Sequence, residues 1–247
     1  AIPLAVVEIK DTLEAYHPEL SPDGKWVAFC TGIEGVSGQS SVYVRRLDAA
    51  GSDLARLDVE SAAIPRWKVL DSGDTVIVYV TSAANNRDAA VFKAASTWQV
   101  KFSDGKFGIP EKLFDGAYHG GISEDNSLAV TGARLFRVRK AGGSPSDRVQ
   151  EETWYNGEQV CNVSLSKDGT DRSLFLDFGG KTGRDFTAVN YGVHGMLLVA
   201  DKTGKLVQGI PAPRNYTFDH TEWATDNSGY VVTSLMNSEG SHSKISL

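Results

Sequence analysis

Short segments in which apolar and polar residues alternate run the length of the chain, parted by Gly, Asp, Asn and Ser. Alternation is the period of a half-buried strand, whose successive side chains point to opposite faces of a sheet. No stretch of a dozen residues keeps a 3.6-residue period, so the pattern predicts an all-β chain. HPELSPDGKWVAF, His17 to Phe29, shows the unit most clearly. Its Ser21-Pro22-Asp23-Gly24 is a tight-turn sequence, with proline pre-setting φ and glycine taking the left-handed position. Strands are predicted on either side, Tyr16 to Leu20 and Lys25 to Thr31.

The same unit returns as IPRWKVLDSGDTVIVYV at 64, HGGISEDNSLAV at 119, NVSLSKDGTDRSLFLDF at 162 and HTEWATDNSGYVVTSL at 220. Each has a strand ending in a large apolar anchor (Leu20, Trp67, Ile122, Leu165, Trp223), a polar turn and a second apolar strand. The anchors recur about every fifty residues, the spacing of a radial β-repeat. Two further strands follow each pair: SVYVRRLD and LARLDV, STWQVKFSDG and EKLFDG, ARLFRVRKAGG and VQEETWYN, HGMLLVADKTG and KLVQGI. The fifth unit has only HSKISL, and LAVVEI (Leu4 to Ile9) at the other terminus can supply its fourth strand. The prediction is a five-bladed β-propeller with four antiparallel strands per blade, closed by pairing the N-terminal strand with the C-terminal blade, which removes open edges. The blades fall at about 10–60, 61–115, 116–156, 157–211 and 212–247 plus 1–9, in one domain spanning 1–247.

Composition narrows the partners. A net charge of −6 speaks against nucleic acid. No apolar run approaches the roughly 18 residues of a membrane span, and AIPLAVVEIK has no basic region followed by a long apolar one. The expectation is a soluble, monomeric chain, or a mature one already trimmed. Two cysteines, Cys30 and Cys161, make no disulfide framework or zinc cluster and are predicted to be thiols. No cofactor motif is present.

PELSPDGKWVAF followed by SVYVRRLDAAG resembles the TolB-like propeller repeat: an apolar residue, Ser-Pro-Asp-Gly, a strand and then a strand ending near Asp-Gly. LSKDGTDRSLFLDF with MLLVADKTG is similar to it in the fourth unit. The resemblance implies the propeller fold, a protein or small-ligand partner, and an extracytoplasmic place, periplasmic or secreted.

In a propeller the first strand of each blade lines the central channel. Strict alternation puts the residues three and one before the anchor on one face. The first set is His17, Ile64, His119, Asn162 and His220; the second is Glu19, Arg66, Gly121, Ser164 and Glu222. Three of five histidines therefore share one repeat position. Long loops and Tyr118, Trp154, Tyr155, Tyr216 and Phe218 are expected at the mouth. The predicted site combines His17, Arg66, Tyr118, His119, Trp154, Asn162, Ser164, Tyr216 and His220 as ligand-binding residues with Glu19 and Glu222. Aromatic rings stack on sugar faces while carboxylates and amides take hydroxyls, so the predicted ligand is a carbohydrate, a polysaccharide, with a partner-protein peptide as the alternative.

Two enzymatic readings stand beside binding. Five-bladed glycosidases of the family 43 type are similar in architecture, which implies acidic groups in the axial pocket. Glu19 and Glu222, from blades that adjoin on closure, form the candidate catalytic pair, acid and nucleophile or base. TolB-like oligogalacturonate lyases imply a histidine-rich metal site, for which His17, His119 and His220 would be the ligands. No metal is assigned in the preferred reading.

Overall fold

The computed structural model describes residues 15–31, 40–48, 53–81, 95–115, 121–123, 128–130, 135–138, 150–224, 229–237 and 242–246. The chain divides into two compact units, one built from Ala1–Asn85 and Ala95–Asp115 and the other from Asn86–Ala94 and Gly116–Leu247.

In the first unit, β1 (Tyr16–Leu20), β2 (Trp26–Thr31), β3 (Ser41–Arg46) and β4 (Ala55–Arg56) form a four-stranded meander in chain order. A second sheet follows from β5 (Ala63–Val69), β6 (Thr75–Thr81), β7 (Ser96–Ser103), β8 (Lys106–Phe107) and β9 (Glu111–Asp115). The long β7 serves two partners: Ser96 to Gln99 pair with β9, while Phe102 and Ser103 pair with β8. Asp104 and Gly105 between β7 and β8 have φ of 51° and 75°, the left-handed pair of a two-residue hairpin turn that matches strand twist.

The second unit holds three more meanders. They are β10 (Gly121–Ile122), β11 (Leu128–Val130), β12 (Leu135–Val138) and β13 (Gln150–Thr153); β14 (Val160–Leu165), β15 (Ser173–Asp177), β16 (Met196–Ala200) and β17 (Leu206–Pro211); and β18 (Tyr216–Trp223), β19 (Val231–Asn237) and β20 (His242–Ser246). All pairings among the described residues are antiparallel, and the described strands fall on the segments expected from the alternation except β8, which lies between two of them. Leu4 to Ile9 lies outside the described residues.

The hairpin turns explain the recurring serine after the anchor. Ser21 Oγ accepts from the Trp26 amide at 2.9 Å, Ser123 Oγ from Leu128 at 3.0 Å and Ser166 Oγ from Arg172 at 3.0 Å. These hydroxyls are buried, so each satisfies an amide that the turn would otherwise leave unpaired. Four anchors are buried: Trp67, Ile122, Leu165 and Trp223. The fifth departs from expectation, with Leu20 58% exposed.

A helix was not legible in the alternation. Lys181–Thr187 forms a short helix, α1, where a loop was expected between β15 and β16. Gly180, its N-cap, offers no capping side chain; the Thr182 amide donates instead to Glu158 Oε1 at 3.0 Å, and the Gly180 amide to Asp177 Oδ2 at 3.0 Å. The helix start is thus held by one carboxylate at the end of β15 and one from the loop before β14, which sequence periodicity does not register.

Candidate functional site

The first strand of four sheets breaks at the same repeat position. His17, Ile64, Asn162 and His220 have φ of 50°, 52°, 51° and 48°. In each case strand register shifts across that residue, so it is the extra residue of a β-bulge. Left-handed backbone costs a non-glycine residue roughly 1 kcal/mol or more, least for Asn and His and most for a β-branched residue such as Ile64. Four recurrences make the bulge a property of the repeat. They also correct the strict alternation assumed for these strands: the bulge, not a period of two, sets where the residue three before the anchor points.

In the first unit, His17 and Glu19 are half-buried on β1. Glu19 Oε2 accepts the Trp67 amide at 2.6 Å, and its carbonyl accepts the Trp67 indole N–H at 3.0 Å. Half-buried Arg66 donates from Nη1 to the Pro65 carbonyl at 3.2 Å. Ile64 is buried in the core at 3% exposure, so this repeat position is not uniformly solvent-lining.

In the second unit, Ser164 is buried and its hydroxyl accepts the Trp223 amide at 3.1 Å, the counterpart of Glu19 on Trp67. Trp154 departs from its expected place at the rim. It is 5% exposed, edge-on to Phe175 at 4.8 Å, because the apolar interior beside β15 takes the indole. Tyr216 and Glu222 are half-buried, and the His220 side chain is 60% exposed. Tyr118 and His119 lie outside the described residues.

The bulges of β14 and β18 are neighbours. Thr221 Oγ, one residue past the second bulge, donates to the carbonyl of Asn162, the residue of the first, at 3.3 Å. The residue preceding each bulge adds chemistry. Asp219 Oδ2 meets His220 Nδ1 at 2.8 Å, and Cys161 Sγ meets His194 Nε2 at 3.1 Å. His194 itself is left-handed (φ 55°) and fixed through its backbone, donating to Asp177 O at 3.0 Å and accepting from Phe218 N at 2.9 Å. Burial pulls the His194 imidazole below its ordinary value, with Asp219 and Asp177 opposing that shift. A neutral imidazole can share a hydrogen bond with the Cys161 thiol in either tautomer. Cys161, His194 and Asp219 are site residues that the sequence pattern does not reveal; Cys161 and Asp219 each directly precede a repeat position three before an anchor, while His194 reaches Cys161 only through the fold. Among the described residues, no group of three or more His, Cys, Asp or Glu is placed to hold a metal ion. Cys30 and Cys161 are both thiols.

A buried brace holds this region from below. Asp177, fully buried, accepts from Tyr155 Oη at 2.7 Å, Tyr191 Oη at 3.0 Å and the Gly180 amide at 3.0 Å. Burial first, and then the Asp177 carboxylate, push both phenols far above the usual tyrosine range. Gly183 leaves room for them: a Cβ there would clash with the Tyr191 hydroxyl.

No protein-family model matches the chain, and no curated protein matches it in sequence. Solved structures do. A candidate 6-phosphogluconolactonase from Bacteroides uniformis superposes with a TM-score of 0.51 at 14% identity, over 90% of this chain and 64% of that one. TolB from Acinetobacter baumannii gives 0.44 at 13%, over 94% and 55%, and YCF48 bound to D1 peptide gives 0.45 at 12%, over 88% and 59%. The likeness is one of fold. The sheets are antiparallel meanders of the β-propeller type, and the chain spans less than two thirds of each of these proteins. No helix among the described residues is long and apolar enough to cross a membrane.

Proposed function

We propose that the chain is a five-bladed ligand-binding β-propeller that takes a hydroxyl-rich ligand, a polysaccharide, at the joined bulges of β14 and β18. Five successive sheets support the blade count, with Leu4 to Ile9 assigned as the strand completing the last. The observation that carries the site is the Thr221 to Asn162 bond, which brings two left-handed residues with polar side chains together. Recurrent strained backbone held by its surroundings is a feature of binding sites, where it re-aims side chains at a ligand.

The chemistry suits sugar hydroxyls, which donate and accept. The His220 imidazole, held at Nδ1 by Asp219, is a polar ring suited to a hydroxyl; the Asn162 amide offers both a donor and an acceptor; a Glu222 carboxylate accepts. Tyr216, half-buried at the start of β18, is assigned as the adjacent ring. His17 and Arg66 hold the matching repeat positions in the first unit and are assigned the same kind of contact there. A polysaccharide ligand implies an extracytoplasmic setting.

A glycan array read against the intact chain, followed by calorimetry on the best ligand, tests the reading. His220→Ala and Asn162→Ala should each weaken binding about tenfold, the loss of one or two hydrogen bonds. Unchanged affinity in both would overturn it.

A further inference from the structure

A cavity of the first unit lies on the side of the hairpin turns, lined by Ser21, Asp23 and Gly105. It measures about 840 Å³ and is floored by Trp26, Trp67 and Phe102. Small-ligand sites span roughly 300 to 1,000 Å³, so this one is of ligand size. The rings are a built floor: Phe102 meets Trp26 edge-on at 5.2 Å and Trp67 at 5.6 Å. Trp67 and Phe102 are buried, while Trp26 is half-buried and presents ring surface to the opening. The type of the β7–β8 turn matters here. Gly105 brings the hairpin so close that a Cβ would stand 3.3 Å from the Trp26 ring. A smaller hollow of about 410 Å³ shares Ala55, Gly105 and Lys106 with the cavity, so the two run on as a groove.

The rim decides the ligand's charge. Lys25, Arg46 and Lys106 are matched by Asp23, Asp53 and Asp104, three cations against three carboxylates. Asp23 is held ionised by the Ser21 hydroxyl, which lowers its pKa. Arg46 stands over the Trp26 ring at 5.7 Å and reaches Asp48 and Asp53 only at 3.9 and 3.5 Å, loose exposed pairs that leave its N–H groups open to another acceptor. An anion would meet three carboxylates and a cation three positive groups, whereas an aliphatic ligand would leave the rim unsatisfied. A neutral ring with apolar faces and hydroxyl edges satisfies floor and rim together. We propose that this groove of the first unit is a second ligand site, for a neutral oligosaccharide several rings long. It stands on its own observations and does not require the bulge site of the second unit.

Titrating the intact chain with xylohexaose, cellohexaose, mannohexaose and, as the charged contrast, hexagalacturonate tests the proposal, with calorimetry and tryptophan fluorescence as readouts. At least one neutral hexasaccharide should bind and change the fluorescence, and Trp26→Ala should weaken it tenfold or more. Asp104→Ala with Lys106→Ala, both on an exposed turn, should weaken it severalfold without touching the floor, which covers a folding failure of the tryptophan variant. A tryptophan fluorescence change that is lost in the turn variant belongs to this groove, which separates it from the bulge site. The proposal falls if no neutral hexasaccharide binds, if hexagalacturonate binds more tightly than all three, or if the turn variant binds every ligand as the parent does. A ligand lost only in the His220 and Asn162 variants would assign binding to the second unit and likewise overturn it.

Discussion

Glu19 and Trp67 are joined twice: the carboxylate accepts the tryptophan amide at 2.6 Å, and the Glu19 carbonyl accepts the indole N–H at 3.0 Å. Ser164 and Trp223 repeat the first of these bonds at 3.1 Å in the second unit. The residue before one anchor thus holds the amide of the next sheet's anchor. This gives Glu19 a bracing role that a purely catalytic reading does not need.

Glu19→Ala should therefore destabilise the first unit by about 1.5 to 3 kcal/mol, the range for a hydrogen bond to a charged group, with Glu19→Gln losing less. Urea midpoints check this. An alanine variant as stable as the parent would remove the bracing role.

Ser164→Ala should cost about 1 to 3 kcal/mol, because the Trp223 amide is left buried and unpaired. Ser164→Thr keeps the acceptor oxygen and should recover part of the loss if the extra methyl is accommodated. Equal midpoints for parent and alanine variant would contradict the bond.

Glu222→Gln separates binder from hydrolase. If the chain hydrolyses glycosidic bonds with this carboxylate as acid or base, kcat should fall about 10²-fold or more while the fold is retained. If it only binds, affinity should fall by about 1 to 3 kcal/mol and no turnover should be present in the parent. A parent that hydrolyses glycans and a variant that does so equally well would exclude Glu222 from the chemistry.

Acid should weaken the fold through His194. Burial lowers its folded value below the ordinary 6.5, so the unfolded chain takes up the proton first. Its contribution is complete above about pH 6.5 and is lost as pH falls through the folded value. His194→Gln should flatten the dependence of urea midpoints between pH 7 and 5. A variant as acid-sensitive as the parent would contradict the assignment.

Asp177→Ala should be among the most damaging single changes in the second unit, at about 3 kcal/mol or more. It strands the buried Tyr155 hydroxyl, the half-buried Tyr191 hydroxyl and the Gly180 amide at the start of α1. Asp177→Asn keeps an acceptor oxygen and should cost less. Gly183→Ala should also destabilise, since the methyl displaces Tyr191 from the same carboxylate.

What the sequence determined by itself was local. Alternation placed the described strands apart from the short β8, the Gly- and Asp-rich stretches placed the turns, and the serine after the anchor marked hairpins whose closing bonds span five or six residues. These depend on neighbours along the chain, which is why they could be read there. Repetition even located the unusual position, since His17, Asn162 and His220 share one offset from their anchors. Tertiary structure decided what that position is. A bulge exists only against a partner strand that has one residue fewer, so no residue pattern within β1 or β18 discloses it. The same holds for Glu19 on Trp67, for Asp177 beneath two tyrosines, for Cys161 against His194 and for the groove over Trp26. Each joins residues distant along the chain, and only packing brings their atoms within bonding distance.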